Sequence, residues 1–452
     1  MKFNKWTMGL AAVGVVSLAS AARADEKMNV VNTALSNTTL SGYIDTSAQY
    51  NFGSQNGGMT PGYAFGAGKA DGFNLNAVDI ALDKPMDESP WAAGYHVELM
   101  FGPDATPGQA GTTSASAITS TDLDSHHHHH STYYTLDTTS GSFLTSVSYP
   151  NYIRQAYIAL RTPIGNSGID WKVGVWDSIL GYESNSDPLN PNYTRSYGYT
   201  MEPTTFTGIL GTYKINDSVA LQAGVADGEQ VGAMGYVFGP TPVNGRNVQE
   251  TKKAYMGAIA LTAPDGWGWM KGATLNAGII NNDDGAHSRN SNPANWGTTS
   301  IYAGVTVPTP VTALKVGAAF DYLSVHDAHA TVGSSWWNST SVGNTDSSAW
   351  NVALYTSYQA NDKLSFNLRG EHIEFNTSMK AHPWSHGYSL PAADEITFTT
   401  QYAIWANVLS RVEFRWDHVE HGTAFDNSAY SQTGTNIHDN AFMLALNLIY
   451  QF

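Results

Sequence analysis

The 452-residue chain contains no cysteine. That excludes disulfides, a thioether-linked lipid anchor, thiolate metal sites and haem attachment through a Cys-x-x-Cys-His motif. Charge is scarce too: Asp, Glu, Lys and Arg make up 13% of the residues, against about a quarter in ordinary soluble proteins. Basic residues number 22 against 38 acidic ones, so a nucleic-acid partner is not expected. No apolar run of about 18 residues occurs after the first two dozen, which rules out a transmembrane helix in the mature chain but not a membrane barrel. Catalytic signatures are missing as well. There is no Gly-x-Ser-x-Gly elbow, no His-Glu-x-x-His and no glycine-rich phosphate loop leading into a helix, so neither an enzyme nor a cofactor is expected.

What the sequence does have is glycine (43), tyrosine (24) and tryptophan (13), a composition that favours strands and turns. The N-terminus "MKFNKWTMGLAAVGVVSLASAARA" places Lys2 and Lys5 before an apolar stretch and ends on Ala22-Arg23-Ala24. This reads as a secretory signal, residues 1–24, cleaved before Asp25. Losing Lys2, Lys5 and Arg23 leaves 19 basic against 38 acidic residues, a net −19. Residues 25–39 read as a short periplasmic lead.

From residue 40 onward, short segments alternate with a period of two. In "LSGYIDTSAQYNF", Ile44, Thr46, Ala48 and Tyr50 share one face and Tyr43, Asp45, Ser47 and Gln49 the other. The pattern returns in "YHVELMF" and "IDWKVGVW" and is plainest in "VLSRVEFRWDH", where Val412, Phe414 and Trp416 interleave with Arg411, Glu413, Arg415 and Asp417. A soluble sandwich could show the same alternation, but the connections also alternate. Short links such as 84–90, 163–168, 215–218, 264–271, 360–363 and 405–407 interleave with long polar ones at 53–72, 102–150, 181–203, 228–250, 281–297, 326–347, 376–394 and 421–438. Turns at one rim and loops at the other predict an all-β, transmembrane antiparallel up-and-down barrel over residues 40–452. It should have about 16 strands of about 9–11 residues, with short periplasmic turns and long extracellular loops. The chain ends on "AFMLALNLIYQF", apolar at every second place. An ordered apolar terminus must pack, and in a closed barrel the last strand pairs with the first.

The stretches "FNLNAVDIALDKP", "GYHVELMFGPDA", "YIRQAYIAL", "SRVEFRWDH" and above all the block from 168 to 228, with its "GYE…NPNYTRS…TFTG" pattern, resemble the OmpL-like family of outer-membrane β-barrel porins. The resemblance implies a bacterial outer-membrane barrel that passes small solutes. It implies no catalytic residues. Leu446, Leu448, Tyr450 and Phe452 resemble the terminal signature handed to the outer-membrane assembly machinery. The third long connection, 181–203, corresponds by position to the loop that folds into the lumen of general porins.

At about sixteen strands the bore is too wide for wall residues to fill, so an aqueous channel is expected for small hydrophilic solutes or ions, with outer-membrane lipid around it and homo-oligomers possible. The candidate constriction residues on the loop are Glu183, Asp187, Tyr193, Arg195 and Glu202, stiffened by Pro188, Pro191 and Pro203. On inward faces stand Asp45, Asp79, Glu98, Lys172, Lys315, Asp321, Arg369, Glu371, Arg411, Glu413, Arg415 and Asp417. The last four form a ladder of alternating sign about 6.6 Å apart. Two readings stay open: a transverse field across the pore, or a self-neutralised row that keeps the lumen wet. The tract His126, His127, His128, His129 and His130 in the longest loop is either a tag or a natural metal-scavenging segment. Trp176 and Trp384 are candidates for an aromatic carbohydrate track. The competing function is a structural sheath or anchor that holds a partner protein, such as an electron carrier, across the membrane.

Overall fold

The computed structural model describes residues 37–52, 71–105, 153–165, 167–227, 253–282, 297–332, 340–377, 392–420, 425–426 and 437–452. The signal, nearly all of the lead, the histidine tract and Trp384 lie outside the described residues. So do most of the long connections.

The barrel strands are β1 (Thr39–Phe52), β2 (Gly72–Lys84), β3 (Ala93–Phe101), β4 (Ile153–Thr162), β5 (Ile169–Asp177), β6 (Thr205–Asn216), β7 (Val219–Ala226), β8 (Ala254–Thr262), β9 (Thr274–Asn282), β10 (Gly297–Pro308), β11 (Leu314–Val332), β12 (Thr340–Gln359), β13 (Leu364–Thr377), β14 (Ala392–Trp405), β15 (Val408–Val419) and β18 (Asn440–Gln451). Two-residue strands β16 (Phe425–Asp426) and β17 (Ile437–His438) form a separate ribbon. Each barrel strand pairs antiparallel with its neighbours in the chain, and β18 closes onto β1. No helix among the described residues is long and apolar enough to cross a membrane.

Closure accounts for the apolar chain end. β1 and β18 pair from Tyr43↔Gln451 to Phe52↔Phe442, and Gly42 and Phe452 exchange both backbone bonds at 3.1 and 3.0 Å. Gly42 is needed there, because a Cβ would lie 2.1 Å from Asp79 O and 2.8 Å from the Phe452 ring. Alternate residues face outward as an exposed apolar belt, among them Ile158, Leu221, Ile279, Leu354, Phe398, Phe414, Leu444, Leu446 and Leu448. Trp91, Trp267, Trp269 and Trp405, exposed beside the short turns, border the belt on one side, as an interfacial aromatic girdle requires.

Two details depart from the sequence reading. Strand length is uneven: β11 and β12 run to 19 and 20 residues, extending well into the stretch 326–347 assigned to a loop. Register shifts at Val325/Ala328 and Ala328/Ala330 let that ribbon continue past the even ladder. In addition, bulges break the inside–outside rule. Pairing skips Asn76 between Asp45↔Ala77 and Thr46↔Leu75, and skips Arg154 between Glu98↔Gln155 and Leu99↔Ile153. Both side chains consequently make inward bonds, Asn76 to Asp45 and Arg154 to Glu98.

Leu446 lies mid-strand in β18 on the outward belt, 53% exposed. Replacing it with arginine is expected to cost about 2–4 kcal/mol, since a lipid-facing charge near the midplane has no partner. Urea unfolding in lipid vesicles measures this, with Leu446→Ala as the reference.

Candidate functional site

Residues 178–204, which join β5 to β6, lie inside the barrel. The first part of this inner loop is apolar and meets an apolar wall. Ile179 and Leu180 join Trp176, Phe206, Leu210, Met256, Ile280 and Tyr302, all buried, and Tyr182 stacks on Tyr355 with ring centroids 4.1 Å apart. Ala226, Ala254, Ala319 and Ala353 leave the space these side chains fill. Gly181, at φ +131°, turns the chain where a Cβ would lie 2.6 Å from the Glu202 carboxylate. Trp176 is fully enclosed in this cluster, so it is packing and not part of a carbohydrate track.

The rest of the inner loop is polar and meets the charged wall of β13, β14 and β15. The Glu413 carboxylate accepts hydrogen bonds from Tyr193 N (2.5 Å), Thr194 N (2.8 Å), Thr194 Oγ1 (2.6 Å) and Thr399 Oγ1 (2.7 Å). Arg411 donates to the carbonyl oxygens of Asn190 (2.5 Å) and Asp187 (3.0 Å), and Arg415 to that of Arg195 (2.7 Å). Arg369 donates to Glu183 and to the Thr194 carbonyl, both at 2.8 Å, and to Glu395 at 3.2 Å. Glu371 accepts from Tyr197 N and Asp417 from Tyr197 OH, each at 2.7 Å. A short helix, Tyr197–Met201, begins here, with Ser196 Oγ capping it by accepting from Tyr199 N. Tyr193 OH reaches Gln49 on β1, and Asn192 reaches Thr399 on β14.

The structure brings most of the residues named from sequence together at one seam, while Glu202 stands at the loop's return to β6 beside Gly181. Glu183, Asp187, Tyr193, Arg195 and Glu202 lie on the inner loop, and Arg369, Glu371, Arg411, Glu413, Arg415 and Asp417 on the wall, all buried. Their arrangement differs from both sequence readings of the ladder. The row neither spans open water nor merely neutralises itself. It is a socket whose donors and acceptors match the loop backbone.

Opposite that socket the inner loop does not meet the wall so closely. A cavity of about 210 Å³ lies between the inner loop and β3–β7, with Gln155, Tyr157, Lys172 and Asp177 on the wall side and Asn185 and Tyr199 on the loop side. Lys172 Nζ sits 4.6 Å over the Tyr157 ring, and no carboxylate lies within ion-pair distance of it among the described residues. His96 stacks on Tyr157 and contacts Asp83 (3.1 Å) and Glu98 (3.4 Å), while Arg154 bridges Glu98 (3.0 Å) and Asp177. Alternation placed Lys172 and Glu98 inward but did not single them out. Arg154 escaped it because the bulge re-aims its side chain.

The family model described as "Putative beta-barrel porin-2, OmpL-like" matches residues 37–452. The chain belongs to this porin family. Among solved structures, the outer-membrane channel DcaP of Acinetobacter baumannii shares the fold at TM-score 0.53 and 12% identity, over 94% of this chain and all of that one. OmpT of Vibrio cholerae does so at TM-score 0.51 and 10% identity, covering 94% and 100% of the two chains. OmpF of Salmonella typhi, in complex with daunomycin, follows at 0.50 and 12%, covering 92% and 97%. Among curated proteins no match is found. The porin resides in the bacterial outer membrane, and its family and fold point to a channel rather than an enzyme.

Glu413→Ala in this porin removes the acceptor of two loop amides and leaves Arg411 and Arg415 beside an empty position. Breaking so buried a charge network is expected to lower stability by on the order of 3 kcal/mol and to free the loop. Denaturant unfolding reads the first effect. Broader, noisier single-channel currents read the second.

Proposed function

We propose that this porin passes small hydrophilic solutes and ions by passive diffusion along the gap between the inner loop and β3–β7. The observation that carries the reading is the asymmetry of the loop. It packs against β11, is hydrogen-bonded to the wall from β12 round to β1, and leaves its other side facing Gln155, Tyr157 and Lys172 across the cavity. A water-filled path bounded by charged and aromatic side chains selects by size first and by charge second.

Charge selection at the gap rests on Lys172. Arg154 and His96 are engaged by Asp177, Glu98 and Asp83, whereas Lys172 holds its ammonium against an aromatic face and presents it to a passing ion. This opposes the cation preference that the acidic excess of the whole chain suggests, because the local field at the gap, and not net charge, acts on a passing ion. The sheath reading has less support: the inner loop occupies the cross-section that a threaded partner would need. OmpT of V. cholerae occurs in a trimer form. A homo-oligomer is proposed here on that likeness, and cross-linking of the purified porin in detergent reads it.

The purified mature porin in a planar bilayer is expected to give steady ohmic steps, with Lys172→Glu moving the reversal potential in a salt gradient toward cation preference. A silent bilayer, with insertion confirmed independently, would overturn the channel reading in favour of the sheath. An unmoved reversal potential would place the selecting charge elsewhere.

A further inference from the structure

Three aspartates from distant parts of the chain meet at one end of the seam between inner loop and wall. Asp45 comes from β1, Asp104 from the single turn Pro103–Ala105 that follows β3, and Asp187 from the turn Asp187–Leu189 of the inner loop. One carboxylate oxygen of each lies within 4.8 Å of the other two, and the residues are 1%, 4% and 3% exposed. Carboxylates so close and so buried repel one another unless a cation or shared protons lie between them.

The surroundings supply part of that charge. Arg195 Nη2 donates to Asp187 Oδ1 at 2.6 Å. The other oxygen, Oδ2 of Asp187, is buried and has no hydrogen-bond donor among the described residues. Arg411 also approaches the cluster, but its donors go to neutral oxygens, the carbonyls of Asp187 and Asn190 and the side chains of Gln401 and Asn447. Asp45 is oriented from behind. Its Oδ1 accepts from Asn76 Nδ2 at 2.7 Å and from Asn447 Nδ2 at 2.5 Å. Asn76 reaches it only because the bulge in β2 turns that side chain inward. Amide donors that fix the direction of a carboxylate are what outer-shell partners provide around a metal ligand.

We propose that Asp45, Asp104 and Asp187 hold a divalent cation, calcium by preference, which pins the inner loop to β1 and to the segment after β3. The donors are all hard oxygens, which selects calcium or magnesium over zinc or copper. Three buried carboxylates suit calcium, which gathers many protein oxygens, better than magnesium, which keeps several waters and binds through one or two carboxylates. The cation draws together three segments remote in sequence, where a cross-link restrains most. It gives Asp187 Oδ2 the partner that the protein does not.

The test uses the mature porin refolded in detergent after EDTA treatment, titrated calorimetrically with calcium chloride and separately with magnesium chloride. Wild type is expected to bind one calcium ion per chain, with a raised unfolding temperature. Asp187→Asn and Asp104→Asn are each expected to bind at least tenfold more weakly. Asp104 lies outside the inner loop, so its variant keeps the test meaningful if the Asp187 variant loses the loop's fold. A second cluster among the described residues, His372, Asp394 and Glu420 at the far ends of β13–β15, is another place where added metal could settle. Asp394→Asn is therefore the control and should bind calcium as wild type does. No binding by wild type, magnesium binding in place of calcium, or loss of binding in Asp394→Asn alone would overturn the assignment. Binding is read in solution, so its failure is distinct from a failure to conduct.

Discussion

No strand edge can be left open in hydrocarbon, and the architecture follows from that constraint. An unpaired N–H or C=O in lipid costs several kcal/mol, and a row of them along one strand would exceed the stability of a domain. The contact of Gly42 with Phe452 is thus more than a tidy end. It completes the ladder from Tyr43↔Gln451 to Phe52↔Phe442, fixing the strand number as even and both ends at the same rim. Once the wall is closed, the period of two separates lipid from lumen: Leu444, Leu446 and Leu448 point out while Met443, Ala445 and Asn447 point in.

A closed barrel of this width is wider than its own wall side chains can fill, and the inner loop occupies part of the bore in two chemistries. Buried charges are costly unless their hydrogen bonds are complete, so they stabilise less than they specify. Here they specify position. Glu413 takes two successive loop amides, Arg411 and Arg415 take loop carbonyls on either side of them, and Arg369 spans from Glu183 to Glu395. Shifting the loop by one residue would set a carbonyl against the Glu413 carboxylate and an amide against the Arg411 and Arg415 guanidinium groups. The charged ladder holds the loop in register much as turn geometry holds a hairpin.

The barrel and its closure could be read from the sequence because both depend on local period and connection length, which a chain displays directly. The facing of several side chains was legible as well: Glu183, Asp187, Tyr193 and Arg195 of the loop meet Arg369, Arg411, Glu413 and Arg415 of the wall. Their roles were not legible, since alternation gives the face of a side chain and says nothing of what covers it. Phe206, Leu210, Met256 and Ile280 point inward although apolar, because the loop's Ile179 and Leu180 lie over them. Asn76 and Arg154 were hidden for another reason. A bulge of one residue reverses the face of a side chain without altering the pattern on either side of it.

The order of residues along the inner loop matches the order of wall sectors it meets, and the cavity lies in the sector left over. Ile179, Leu180 and Tyr182 leave β5 and cover the apolar sector. Residues 183–197 bind the charged sector of β13–β15, with Tyr193 and Asp187 reaching β1. The chain then returns to β6 through Glu202 and Pro203. Among the described residues, the cavity lies on the β3–β7 side, adjacent to both roots of the loop. A loop anchored at its two roots and bonded to the far wall leaves its gap next to the roots. That is where Tyr157 and Lys172 stand, so on the proposed path the position follows from the tether and the charge from the wall.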